Sequence, residues 1–195
     1  MMEVSESIHV VALCGSRRDG SHTRTALETA LAAARDRGAT TTLVDLDTYE
    51  VPVFDPGNSD AGDAPALREE VRAADAVLLG TPMYHGTIAS PLKTALDYCG
   101  FDEFEDTTVG LLAVAGGGFP TPALEHLRMV ARELDAWVLP QQVAIPNASA
   151  HVADGEIADA DIRERVESLG TDLVEYAGVA DYPGQTAGCV APTAD

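Results

Sequence analysis

The feature that most limits how this chain can fold is an alternation of short apolar runs with stretches of helical period. IHVVALC (8–14), TTLVDL (41–46), AVLLGT (76–81), TVGLLAVA (108–115) and WVLPQQVAI (137–145) read as strands. After each run, apolar residues recur three and four apart. Leu27, Leu31 and Ala34 share one helical face, as do Leu67, Val71 and Ala74. Ile88, Leu92, Leu96 and Cys99 form a third stripe, Leu124, Leu127, Ala131 and Leu134 a fourth, and Ile162, Val166, Leu169 and Leu173 a fifth. Strands that are apolar throughout are buried on both faces. Joined by helical crossovers, they make a parallel sheet covered on both sides, an α/β fold. Ser90-Pro91 and Thr121-Pro122 read as cap and first-turn pairs, and Gly38 and Gly100 as helix stops. The 195 residues suffice for one such domain with a substantial core. The domain is expected over residues 1–178. A tail without period follows over 179–195, either mobile or packed on a neighbour.

Composition narrows the class of partner. Against 32 acidic residues stand 12 basic ones, of which Lys93 alone is a lysine, for a net charge of −20. Nucleic acid is excluded as a partner, because its phosphates would be repelled. The acids are spread along the whole chain rather than gathered in a tail. Dispersed acid, scarce lysine and 5% aromatic content suit a salt-rich cytoplasm, the plain alternative being an ordinary acidic protein. At about 1 M salt the Debye length is roughly 3 Å, so self-repulsion is largely screened. No apolar run reaches the length of a membrane span, and MMEVSES has no basic stretch ahead of an apolar segment, so neither a membrane helix nor a signal peptide is expected. Cys14, Cys99 and Cys189 form no CxxC pair, which predicts a reduced, cytoplasmic setting. His9, His126 and His151 show no metal spacing, and no metal site is expected.

The chemistry concentrates in the loops that follow the strands. In a parallel α/β sheet ligands bind at the carboxyl ends of strands, where strand order reverses. The first such loop, CGSRRDGSHTRTAL (14–27), joins strand one to a helix. A helix N-terminus offers unpaired N–H groups and partial positive charge, both suited to phosphate. Ser16, Ser21 and Thr23 add hydroxyls, and Arg18 or Arg17 a charged fork. Gly15 and Gly20 let the backbone fold closely. The dinucleotide pattern GxGxxG is absent. Gly15 and Gly20 have P-loop spacing, but Ser21 and His22 stand where lysine and Ser/Thr are required. A single terminal phosphomonoester fits this cup better than a nucleoside triphosphate. The bland alternative is an ordinary capped helix start.

Strand three is followed by GTPMYHGTIASPLKTALDYCG, in which Pro82 stiffens the loop and Tyr84 and His85 offer flat faces with polar edges. Gly86 and Thr87 are expected to leave backbone amides open. Strand four is followed by AVAGGGFPTP, where Gly116, Gly117 and Gly118 remove side chains beside something broad and flat. A phosphate cup and a planar slot together are the shape FMN needs.

These residues resemble the NADPH-dependent FMN reductases of flavodoxin-like fold, over roughly residues 8 to 175. The family's G-S-x-R-x-x-S-x-[NT] is matched by Gly15, Ser16, Arg18, Ser21 and Thr23. Its P-x-Y-x-G and L-K-x-A-[IL]-D are matched by Pro82, Tyr84 and Gly86, then Leu92, Lys93, Ala95, Leu96 and Asp97. The resemblance implies a three-layer sandwich with a five-stranded parallel sheet in the order 2-1-3-4-5. It implies that Ser16, Arg18, Ser21 and Thr23 hold the FMN phosphate. Pro82, Met83, Tyr84, His85 and Gly86 would border the isoalloxazine, with Gly116 to Gly118 as the opposite wall. Two departures stand out: His85 replaces a frequent asparagine, and AGGGFP replaces a serine-containing third loop.

The implied activity is oxidoreduction, with NADPH or NADH reducing FMN and a quinone, free flavin or similar small molecule accepting the electrons. No side chain is required as an essential acid or base. A homodimer or homotetramer is implied too, with the helix from Ile88 to Cys99 near the contact and Lys93 and Asp97 as an i,i+4 pair. Two other readings stay open: a flavodoxin-type electron carrier, and a phosphate- or nucleotide-binding module without redox chemistry. The arginine of G-S-x-R speaks against the carrier, and Tyr84 beside three glycines against the module. Cys14 and Cys99 read as buried small hydrophobes. The charge supplies a first prediction: the thermal unfolding midpoint rises with KCl from dilute buffer to molar salt, and a flat or falling midpoint rejects adaptation to salt.

Overall fold

The computed structural model of the protein describes residues 7–177. Cys189, the boundary expected at 178 and the tail over 179–195 lie outside the described residues. In chain order the elements are β1 (His9–Cys14), α1 (His22–Asp36), β2 (Thr40–Asp45), α2 (Ala64–Arg72), β3 (Ala76–Tyr84), β4 (Thr87–Ile88), α3 (Ser90–Asp97) and α4 (Phe101–Phe104). They continue with β5 (Thr108–Val114), α5 (Thr121–Glu133), β6 (Trp137–Ile145), α6 (Ala148–His151), β7 (Val152–Ala153), β8 (Glu156–Ile157) and α7 (Ala160–Glu175). Every apolar run read as a strand contains a strand, and every helical stripe centres on a helix, though Ile88 lies in β4 and Ala74, Cys99 and Leu134 lie just beyond their helices.

The five long strands pair in parallel in the order β2-β1-β3-β5-β6, which is the expected 2-1-3-4-5 counted over those strands. The two-residue β4 adds a sixth strand, antiparallel to the end of β3, and β7 and β8 form a separate hairpin. Alternate residues of each strand point to opposite layers. Val10, Ala12, Leu78, Leu112 and Val143 meet Leu27, Leu31, Val166 and Leu169 of α1 and α7. Val11, Leu13, Val77, Leu79 and Leu111 meet Leu67, Leu92, Leu96, Leu124 and Leu127 of α2, α3 and α5. The sheet thus lies between two helical layers, and β1, flanked on both edges, has Val10 to Cys14 at most 1% exposed.

Glycines set the close approaches. A Cβ on Gly170 of α7 would lie 2.0 Å from the Ala30 carbonyl oxygen of α1, so these helices pack backbone to backbone. Gly38 (φ +88°) stops α1 in the left-handed region and donates its N–H to the Arg35 carbonyl at 2.9 Å. Gly100 does not act as a helix stop. It precedes α4, and its N–H donates to Glu103 Oε2 at 2.7 Å, half of a capping box. The helix starts are also displaced by one residue. Ala89 and Pro120 occupy the cap positions of α3 and α5, so Ser90 and Thr121 are the first helical residues. At α3 the reason is visible: the Ala89 N–H is taken by the Thr81 hydroxyl at 3.0 Å, a partner from the sheet rather than from the helix's own cap.

Candidate cofactor-binding site

Because β1, β3 and β5 are parallel neighbours, their carboxyl ends bring three loops side by side. The first is anchored at its base by Gly15, whose N–H donates to the Gly80 carbonyl at 2.8 Å. The loop then passes Gly20 (φ +63°) and enters α1 at Ser21. Ser21 is the N-cap, its Oγ accepting the Arg24 N–H at 3.2 Å. Ser16 Oγ accepts the Arg18 N–H at 3.4 Å. Ser16, Ser21 and Thr23 are buried to within 4% of full burial.

The three arginines of this segment take different roles. Arg17 pairs with Asp47 at 3.3 Å, and Arg24 with Asp45 at the end of β2 at 2.5 Å. Arg18 is exposed, and its guanidinium has no partner among the described residues. Among the two candidates for an anion partner, Arg18 is therefore the uncommitted one. Arg24 Nε is buried without a hydrogen-bond partner, an orphaned donor on the first turn of α1. Buried hydroxyls, a helix N-terminus and the free Arg18 guanidinium make a donor set that fits a phosphate. Cys14 lies directly beneath. Burial pushes its thiol up to about 11, and burial likewise pushes Cys99 to about 12, so neither is a thiolate nucleophile at neutral pH.

The second loop is a tight hairpin rather than an open loop. Tyr84 pairs with Thr87 across the two-residue turn His85-Gly86, and both turn residues have positive φ, +50° and +79°. Positive φ at both central positions is the type I′ pattern, favoured because its twist matches that of the flanking strands. Asparagine is preferred in such a position and histidine tolerates it. This accounts for His85 standing where asparagine is frequent: the position is set by backbone conformation. Pro82 and Met83 are half-buried, whereas Tyr84, His85 and Gly86 are exposed, Tyr84 by 55%. The hairpin is fixed at its base by buried Thr81, whose Oγ accepts the Ala89 N–H and donates to the Pro82 carbonyl at 2.9 Å.

The third loop is the open wall. A Cβ on Gly116, Gly117 or Gly118 would meet nothing within 4 Å, so the protein leaves that space free. The loop is held from behind, the Asn147 N–H donating to the Gly117 carbonyl at 2.7 Å and the Ala148 N–H to the Ala115 carbonyl at 2.9 Å. Phe119, 67% exposed, ends the glycine run.

The twelve expected site residues gather at the carboxyl edge of the sheet, Thr23 on the first turn of α1, Pro82 to Tyr84 at the end of β3 and the rest on the three loops. Thr81, Asn147 and Phe119, which sequence reading did not single out, support or flank these loops. Only Phe119 had a local signal, an aromatic beside three glycines. The apolar stripe of Ile88, Leu92 and Leu96, expected near a subunit contact, is buried inside the protomer. The exposed side of α3 carries Lys93, ion-paired with Asp97.

With this geometry in place, the comparison with known proteins is direct. The model of the NADPH-dependent FMN reductase family matches residues 8–150. The chain belongs to that family. The match stops short of α7, although the resemblance was expected to run to about residue 175. An FMN-dependent NADPH-azoreductase of Staphylococcus aureus is 34% identical over 119 residues, 60% of this chain and 63% of that protein, so the chain spans less than two thirds of this relative's length. Among solved structures, an oxidoreductase of Corynebacterium diphtheriae superposes with a TM-score of 0.71 at 17% identity, over 88% of this chain and 97% of that one. The NAD(P)H:(acceptor) oxidoreductase FerB of Paracoccus denitrificans superposes with a TM-score of 0.72 at 18% identity, over 87% and 96%. The fold expected for the family, flavodoxin-like, is the fold observed.

The hairpin yields the second prediction. His85→Asn preserves stability, whereas His85→Val places a β-branched residue in the left-handed region and lowers stability by about 1–2 kcal/mol. Urea unfolding midpoints of the two variants check this, and equal midpoints would remove the backbone explanation for His85.

Proposed function

We propose that this protein binds FMN and uses NADPH or NADH to reduce a small-molecule acceptor, a quinone, a free flavin or a similar compound, in a reduced, cytoplasmic setting. The observation that carries the reading is the juxtaposition of the first loop's donor set with the open, glycine-walled space after β5. FMN has one phosphate and one broad planar ring, and the sequence carries no second nucleotide-binding fingerprint.

In this reading Ser16, Ser21 and Thr23 donate their O–H groups to the phosphate while the N-terminal amides of α1 and the Arg18 guanidinium neutralise it. Pro82, Met83, Tyr84, His85 and Gly86 border one side of the ring, and Gly116, Gly117 and Gly118 the other. Bound FMN supplies the redox chemistry, taking two electrons from the nicotinamide and passing them to the acceptor. The chain's part is orientation and electrostatics. Backbone N–H groups of the His85-Gly86 turn and the triglycine loop are the donors available to stabilise developing negative charge. No tryptophan lies on the three loops to shut the ring away from a nicotinamide: Trp137 opens β6. This favours an enzyme over a flavodoxin-type carrier. The slot is open on one side, which suits closure by a second copy. A homodimer or homotetramer follows, and light scattering that reports a fully active monomer contradicts it.

The purified protein should be yellow and release FMN on denaturation. Under anaerobic conditions NADPH or NADH should bleach the flavin, and a quinone should restore it with ping-pong kinetics. A colourless protein that takes up no FMN at micromolar concentration overturns the reading, and a bound flavin that NAD(P)H does not reduce makes the chain a carrier. Arg18→Ala should weaken FMN binding about ten- to hundredfold, the loss of one charge-assisted contact of ~1.5–3 kcal/mol.

A further inference from the structure

A side-chain hydrogen bond links the hairpin to the helix that follows the triglycine loop. Thr87 Oγ1 of β4 and His126 Nδ1 of α5 are 2.6 Å apart, 39 positions separated in sequence. Thr87 follows the His85-Gly86 turn immediately. His126 sits on the second turn of the helix that leaves the triglycine loop. The contact therefore ties the far strand of one wall to the helix emerging from the other.

The hairpin has little ladder of its own. β3 and β4 share only two residue pairs, Met83 with Ile88 and Tyr84 with Thr87. A ladder this short does not hold its own position. Thr81 fixes the base of the hairpin through Ala89 and Pro82, and Ile88 of β4 is buried in the same core cluster as Leu124 and Leu127 of α5, while the tip from Tyr84 to Gly86 is exposed. Thr87 is the residue next to the tip, and its side chain is engaged by His126. A threonine hydroxyl both donates and accepts, and Nδ1 of histidine accepts or donates according to its proton. Either proton arrangement keeps the bond.

We propose that His126, acting through Thr87, is a positioning residue for the flavin-facing turn Tyr84–Gly86 and so sets the distance between the two walls of the slot. This rests on the proposed binding of FMN between those walls. Neither residue is placed against the ring. Their effect is transmitted through the backbone of the turn, whose amides are the ones available to the ring's polar edge.

The test compares wild type with Thr87→Val, His126→Ala, the double variant, and the conservative Thr87→Ser and His126→Asn, each as the full chain. FMN affinity is read by quenching of flavin fluorescence, the midpoint potential of the bound flavin by anaerobic titration, and the unfolding midpoint without flavin by circular dichroism. Thr87→Val and His126→Ala should each weaken FMN binding by ~2–10-fold, the range of one hydrogen bond, and move the potential in the same direction. The double variant should be no worse than either single one, because both remove the same contact. Thr87→Ser and His126→Asn should restore wild-type affinity and potential. If the variants change only the unfolding midpoint, or if the two single effects add, the inference is wrong. Wild type that binds no FMN removes the functional reading and this inference with it, whereas wild type and variants that bind it equally remove this inference alone.

Discussion

One backbone contact governs the geometry of the site. The Gly15 N–H reaches the Gly80 carbonyl at 2.8 Å, drawing the first loop against β3 just beyond the register pair Cys14–Gly80. Neither residue tolerates a side chain. A Cβ on Gly15 would lie 2.8 Å from Leu92 Cβ of α3, and one on Gly80 2.7 Å from the Leu27 methyls of α1. Two helices from opposite layers thus press on the same spot of the sheet, and glycine on each strand is what lets them. The glycine that began as a phosphate-loop feature is a packing residue first. The phosphate cup is the consequence of where that packing leaves the chain.

The cup also shows how local charge is arranged within a strongly acidic protein. Arg17 and Arg24 are matched by Asp47 and Asp45, which keeps the cup's surroundings close to neutral despite a net charge of −20. Arg18 is left over. The hydroxyls are not exhausted by their structural duties either. Ser21 caps α1 and Ser16 braces the loop by accepting hydrogen bonds, and each keeps its O–H to donate. One set of atoms can therefore cap the helix and still offer donors to the proposed phosphate without competition.

Much was legible in the chain before any coordinates. Continuous apolar runs announced buried strands, and 3.6-residue stripes announced the covering helices, because both patterns follow from which faces must leave water. G-S-x-R with its trailing hydroxyls marked the cup, since a phosphate demands donors in a short local segment. What was not legible shares one cause. Ser90 was expected to cap α3, but the cap position fell to Ala89 once Thr81, nine residues before Ser90, supplied a hydroxyl. That His85 also occupies a left-handed turn position, φ +50°, was not legible from its ring chemistry. Leu92 and Leu96 of α3 belong to the protomer's own core, which leaves Lys93 and Asp97 exposed on that helix.

The sequence by itself determined the fold class, the strand order expected of the family and the location of the three loops. Each of these depends on periodicity or on a motif contained within about ten residues. Only the tertiary structure decided which arginine was free, what holds each loop from behind, and how the walls are joined. Arg17 is committed by Asp47, thirty positions away, Gly117 by Asn147, and Thr87 by His126. Hydrogen bonds and ion pairs between distant segments leave no period in a sequence. They exist because folding brings together groups that must be paired once water is excluded.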